Sequence, residues 1–81
     1  MNRDQQFLLD VLLSAKIAVS YMAGRSRTDL ENDLQLQDAI IRRLLIIGEA
    51  SNRVSKKTQQ GLPFIPWQLI NELEKIISSE D

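Results

Sequence analysis

Apolar residues recur at helical spacing in three stretches of the chain, and nowhere do they alternate with polar ones as a half-buried strand requires. In the first stretch, Leu8, Val11, Leu12, Ala15, Val19 and Met22 form one stripe, and Leu9, Leu13, Ile17 and Tyr21 form a second beside it. This spacing predicts a helix from about Arg3 to Ala23. Asn2 is placed to cap it, with Gln5 closing a capping box. Gly24 is the natural stop, because glycine takes positive φ without penalty. In the second stretch, Ile40, Ile41, Leu44, Leu45, Ile47 and Gly48 make one wide face. A helix is expected from near Thr28, where Thr28-Asp29-Leu30-Glu31 reads as a capping box, to about Ser55. Arg53, Lys56 and Lys57 suit its negative end, and a kink or short separate turn fits near Asn32-Asp33. Gly48 costs about 1 kcal/mol relative to Ala in a helix interior; close helix–helix approach is the reason to have it there. The third helix starts at Pro66, a good first-turn residue. Leu69, Ile70, Leu73, Ile76 and Ile77 form its single stripe, while Asn71, Glu72, Glu74 and Lys75 face the other way, and Ser78 to Asp81 are expected to fray.

The pattern therefore predicts one all-α domain over residues 1–81, a three-helix antiparallel bundle. Its first two helices carry more apolar surface than such a unit buries. Burying a Leu or Ile side chain is worth roughly 1.5–3 kcal/mol, and a second row left open makes a sticky patch. The reading is completion by homodimerisation or by docking on a partner, with Leu9, Leu13, Ile17, Ile41 and Leu45 as the expected interface; the alternative is a splayed three-helix arrangement that uses these residues internally.

Composition narrows the chemistry. The 81 residues are 43% hydrophobic and 26% charged, an ordinary globular balance. Ten Lys and Arg against eleven Asp and Glu give a net charge of −1, which argues against a basic coat for nucleic acid. There is no Cys, so disulfide and thiolate chemistry are excluded. There is no His, the commonest metal ligand and general acid–base. Carboxylates alone are a poor ligand set for zinc, and neither a metal nor a cofactor is expected. No apolar run approaches a membrane span and the polar start is unlike a secretory signal, so the cytoplasm is the default location.

No glycine-rich phosphate loop and no Ser–His or Cys–His arrangement exists. The candidates are acids and arginines on helix faces. Asp38 and Arg42 are four apart, as are Glu49 and Arg53, each with the acid first. They read either as two solvated ion pairs, worth a few tenths of a kcal/mol each, or as a polar seam that orients a catalytic or ligand-binding group. Arg42-Arg43 and Lys56-Lys57 can touch phosphates but fit a solvated face as well. Trp67 and Phe64, beside Pro66, suit a hydrophobic anchor better than a base-stacking platform, since no basic residues interleave with them.

The run Gln37-Asp38-Ala39-Ile40-Ile41-Arg42-Arg43-Leu44, leading into Ile46-Ile47-Gly48-Glu49-Ala50, resembles the central helix of the HepT-like family, toxin-side proteins of the HEPN superfamily. Ile65-Pro66-Trp67 followed by Ile70 resembles the start of that family's next helix, and Leu9-Asp10 with Tyr21 to Ser26 fits its first helix and loop. The likeness covers about Asp4 to Ile70. It implies a HEPN-like all-α bundle that forms a homodimer and pairs with a minimal nucleotidyltransferase antitoxin encoded next door. It also implies a metal-independent ribonuclease, built on an Arg, four to six residues, then a His and usually a Tyr. In some pairs the antitoxin adds AMP to that Tyr.

The chain departs from this pattern where the chemistry lies. The family has a Gly-x-Arg-Asn type segment after the Ile-Pro-Trp and then the His; here Asn71-Glu72-Leu73-Glu74-Lys75 follows, with no Arg after Arg53. No catalytic residue carries over, and the sequence looks like the family cut short, without its last helix. Three readings remain. The first is a HepT-like component without ribonuclease activity that works through dimerisation or partner binding, with Asp38, Arg42 and Glu49 as remnants of the polar seam. The second is a residual ribonuclease using Arg42 for charge and Glu49 as base. The third is a helical assembly module with no toxin–antitoxin role.

Overall fold

Five helices follow one another in the computed structural model, which describes residues 3–79. They are α1 (Arg3–Met22), α2 (Arg27–Asn32), α3 (Leu34–Arg53), α4 (Lys56–Gly61) and α5 (Trp67–Ser79). No strand occurs among the described residues. The expected cap Asn2 and the last residues of the tail, Glu80 and Asp81, lie outside them. The three long helices run antiparallel in chain order, as their end contacts show. Asp4, at the start of α1, meets Ser55 just past the end of α3. Glu74 of α5 meets Asn52 and Gly48 of α3, with Trp67 beyond them toward α4.

The first break falls where Gly24 was expected to stop α1, and this glycine has a φ of 72°. The second break differs from expectation. Ser26, not Thr28, caps α2: its hydroxyl accepts from the Asp29 amide at 3.1 Å, and its own amide donates to Asp29 at 2.9 Å. The long second helix is cut at Asp33, whose extended backbone ends α2 and whose side chain accepts from the Leu36 amide at 3.0 Å to start α3. Gln37 then reaches back, donating to the Leu30 and Glu31 carbonyls that α2 leaves open.

α3 also ends earlier than the apolar pattern suggests. Val54 leaves the helix with extended backbone and Ser55 caps a separate helix, so Lys56 and Lys57 lie in the first turn of α4 and not at the end of α3. Gln59 repeats the role of Gln37 by donating to the Ser51 and Val54 carbonyls.

α1 and α5 both pack on α3 and barely touch each other. The apolar interior is correspondingly small: among the described residues Leu36, Ala50 and Val54 are buried, and no large side chain is fully so. Neither stripe of α1 is wholly covered. Leu9, Leu12, Leu13 and Val19 stay exposed, while Ser14 turns inward.

α5 is rotated relative to the expected burial of its leucine stripe. Glu74, placed on the outer face by the sequence pattern, lies against α3 and accepts from Asn52 at 2.9 Å. Leu69 is 53% exposed, and Leu73 and Ile76 are exposed as well. Gly48 is the reason. A Cβ there would come within 2.5 Å of Glu74 Oε2 and 2.7 Å of its Cβ, so the missing side chain is the space that Glu74 occupies. The expectation that Gly48 serves close helix approach holds, with Glu74 as the group that approaches.

Candidate functional site

The outer surface of α3 is its one long face that neither α1 nor α5 covers. At about 100° per residue, Asp38, Arg42, Leu45, Glu49 and Arg53 fall in one row along that face. The four charged residues are exposed and Leu45 is half-buried. The structure thus brings the expected seam residues Asp38, Arg42 and Glu49 onto one ridge. It does not join them. The two ion pairs found among the described residues are Arg25–Asp33 at 3.3 Å and Arg27–Glu31 at 2.9 Å. Neither Asp38–Arg42 nor Glu49–Arg53 forms as the sequence spacing suggested. Arg53 instead lies over the Phe7 ring of α1, 5.8 Å from its centre. A depression of about 100 Å³ lies between this end of the ridge and α1, lined by Phe7, Asp10, Ile46, Glu49, Ala50 and Arg53.

The expected interface residues border this ridge or lie on α1. Leu9 and Leu13 are 57% and 60% exposed and Ile41 is 39% exposed, while Ile17 and Leu45 are half-buried. The Arg42-Arg43 step is split: Arg42 faces solvent, and Arg43 turns in with its Nε buried and without a hydrogen-bond partner.

A second hollow, about 330 Å³, opens between α3, α4 and α5. Its lining is mostly amide and hydroxyl: Ser51, Asn52, Gln59, Gln68 and Asn71, with Lys56 at the edge and the Trp67 ring on one side. Most of these groups hold the fold. Trp67 donates its indole N–H to the Gln59 and Leu62 carbonyls, at 3.1 Å each, and so locks the corner between α4 and α5. Trp67 is therefore the anchor expected of the pair, whereas Phe64 is 79% exposed and anchors nothing.

One polar cluster has no counterpart in the sequence pattern. The Asp4 carboxylate accepts from the Ser55 amide at 3.0 Å, the Ser55 hydroxyl at 2.6 Å and the Thr58 hydroxyl. These bonds, the Ser55 hydroxyl foremost, hold the carboxyl below its ordinary pKa against a small opposing effect of burial. Asp4 also puts a negative charge at the start of α4, where Lys56 and Lys57 would otherwise stand alone beside the positive end of the helix. The role is structural: the carboxylate staples the start of α1 to the start of α4.

No group of His, Cys, Asp and Glu among the described residues is arranged to hold a metal ion. No described helix is long and apolar enough to cross a membrane. Arg42 and Glu49 sit about 10 Å apart along the axis of α3, at 1.5 Å rise per residue, so one chain does not assemble them into an acid–base pair.

The sequence profile of the family described as "Ribonuclease HepT-like" matches residues 11–80. The chain is 31% identical over 71 residues to the Methanocaldococcus jannaschii protein named "Putative RNase MJ1380", an alignment covering 88% of this chain and 65% of that protein. It is also 31% identical over 78 residues to "Gamma-glutamylcyclotransferase and putative RNase MJ0434" of the same organism, covering 95% of this chain and 35% of that protein. The chain thus spans less than two thirds of the length of either relative. No solved structure matches it.

Proposed function

The chain belongs to the HepT-like ribonuclease family, and on that premise we propose that these 81 residues bind partner chains and do not cut RNA. The reading makes the protein a cytoplasmic, homodimeric component of a toxin–antitoxin pair whose other member is a minimal nucleotidyltransferase. The carrying observation is chemical. The family's reaction needs a His set a few residues after an Arg, and the chain contains no His. Arg42 and Glu49 do not replace that pair, because they stand apart on an open face. Family membership and the amount of uncovered apolar surface support a binding role for these residues.

The test has two parts. Purified chain is incubated with labelled RNA in the presence of a chelator; no cleavage above a buffer control is expected, and cleavage that is lost in Glu49→Gln would revive the residual-enzyme reading. The tagged chain is then recovered from its own host under native conditions. Stoichiometric recovery of a nucleotidyltransferase supports the toxin–antitoxin assignment. Recovery of the chain only as a dimer moves the reading to a self-assembling helical module.

A further inference from the structure

The exposed ridge of α3 carries a charge order that a two-fold rotation turns into its own complement. Asp38 and Arg42 precede Leu45, and Glu49 and Arg53 follow Ile46. Arg42 and Glu49 lie equally far on either side of the midpoint between Leu45 and Ile46, and so do Asp38 and Arg53. At 1.5 Å per residue these distances are about 5 Å and about 11 Å. An antiparallel second helix centred there sets every charge opposite its complement. A parallel one in register sets like against like.

We infer that a second copy of this chain docks antiparallel on this ridge, with Arg42 paired to the partner's Glu49 and Asp38 paired to the partner's Arg53 across a two-fold axis beside Leu45. The inference rests on the binding role proposed above and specifies the register of the dimer. An isologous contact of this kind must be self-complementary, and a ridge of alternating sign is. None of the four takes part in an intrachain ion pair among the described residues; Arg53 lies over the Phe7 ring, which leaves its charge without a carboxylate partner there. The centre of the ridge is apolar, with half-buried Leu45 flanked by exposed Ile41. Leu9 and Leu13 of α1 add further apolar surface on the flank.

The amount of surface also fits. A folded monomer of 9.3 kDa exposes about 5,000 Å². This chain exposes 6126 Å², an excess of roughly 1,100 Å². A standard interface takes about 800 Å² from each partner, so one copy has enough uncovered surface to form it. The inner pair, close to the axis, meets at any ordinary helix crossing angle. The outer pair is reached at a shallow crossing of about 20°, the geometry of helices packed side by side.

Charge exchange tests the register directly, with the chain's self-association measured by sedimentation equilibrium. Wild type is expected to dimerise at micromolar concentrations. Arg42→Glu places two acids against each other at each symmetric contact and is expected to weaken the dimer by about tenfold or more; Glu49→Arg should do the same. The double variant Arg42→Glu with Glu49→Arg restores opposite charges in this register and should bring the dimer back to within about threefold of wild type. Both altered positions are on the solvent face, and unaltered helicity by circular dichroism keeps folding out of the comparison. A monomeric wild type at about 200 µM, a concentration at which even a contact of about 100 µM affinity would be largely populated, overturns the inference. So does a dimer indifferent to the single changes but abolished by Leu9→Asp with Leu13→Asp, which would place the contact on α1. Loss in both single variants without rescue in the double also overturns it. RNA cleavage by the wild type would defeat the proposed non-cutting role and leave this register untouched; a dimer indifferent to the charge changes would defeat the register alone, and a monomeric wild type would defeat the homodimer as well.

Discussion

At the scale of single residues, Gly48 and Asp4 decide how the outer helices sit on α3. Gly48→Ala should gain about 1 kcal/mol of helix propensity. The added Cβ would meet Glu74 Cβ at 2.7 Å, and that atom is fixed by the backbone of α5 and cannot swing aside. Overpacking of this kind costs about 1–3 kcal/mol, so α5 must shift and the variant should be less stable, by about 1 kcal/mol net. A urea midpoint equal to or above wild type would defeat this account of α5. Asp4 sets a pH dependence. Its folded-state pKa is lowered by Ser55 and Thr58, so the unfolded chain binds more protons at acid pH. Its stabilising contribution is fully present above the unfolded value, about 4, and is lost as pH falls through the lower folded value. Wild type should therefore lose stability between about pH 4 and pH 2.5 more steeply than Asp4→Asn, which has nothing to titrate there. Urea midpoints of the two proteins at pH 7, 4 and 2.5 check the slope.

Among the elements, α4 and the turn after it act as a clasp between α3 and α5. The Trp67 indole N–H bridges two carbonyls there. Trp67→Phe keeps an aromatic ring and removes that donor, leaving the Gln59 and Leu62 carbonyls to find water, at a cost of about 1–3 kcal/mol. Hydrogen exchange should accelerate in α5 more than in α1, because α1 is held separately through Asp4; equal acceleration in both would contradict the clasp. The sequence discloses elements whose causes are local. Gly24, Pro66 and the apolar periods mark helices because each signal acts within a turn or two. Other features depend on partners far along the chain. Asp4 finds Ser55 and Thr58 at separations of 51 and 54 residues, and nothing in a run of Asp-Gln-Gln announces it. The amides of Gln37 and Gln59 close the ends of α2 and α3 without resembling any cap signature. The leucine stripe of α5 predicts its own burial correctly only if α3 presents a full side chain at position 48. At the ridge, spacing placed Asp38, Arg42 and Glu49 on one face but could not tell a bonded ion pair from an open charge.

For the whole molecule, the dominant fact is a small interior in an extended body. The radius of gyration is 13.7 Å and the long dimension is 41 Å, whereas a compact chain of 81 residues has a radius near 12 Å. A layer with α3 in the middle and flanks that barely touch gives each outer helix only one partner. Such a fold gains stability in proportion to whatever covers its open faces, since a ligand or second copy that binds the folded state stabilises it by mass action. If a second copy is the cover, folding and association are one equilibrium. Raising the concentration a hundredfold then adds about 1.4 kcal/mol per chain at 25 °C, half of RT ln 100 for each member of a dimer. With a melting shift of about 4–8 °C per kcal/mol for a chain of this size, Tm should climb by about 5–10 °C between 2 and 200 µM. Circular dichroism in cells of different path length measures this without changing the buffer. A Tm that stays fixed across that range would mean that α3 alone holds α1 and α5 in place. The exposed Leu9, Leu13 and Leu69 would then be tolerated in the folded monomer, and their function would have to come from a different chain.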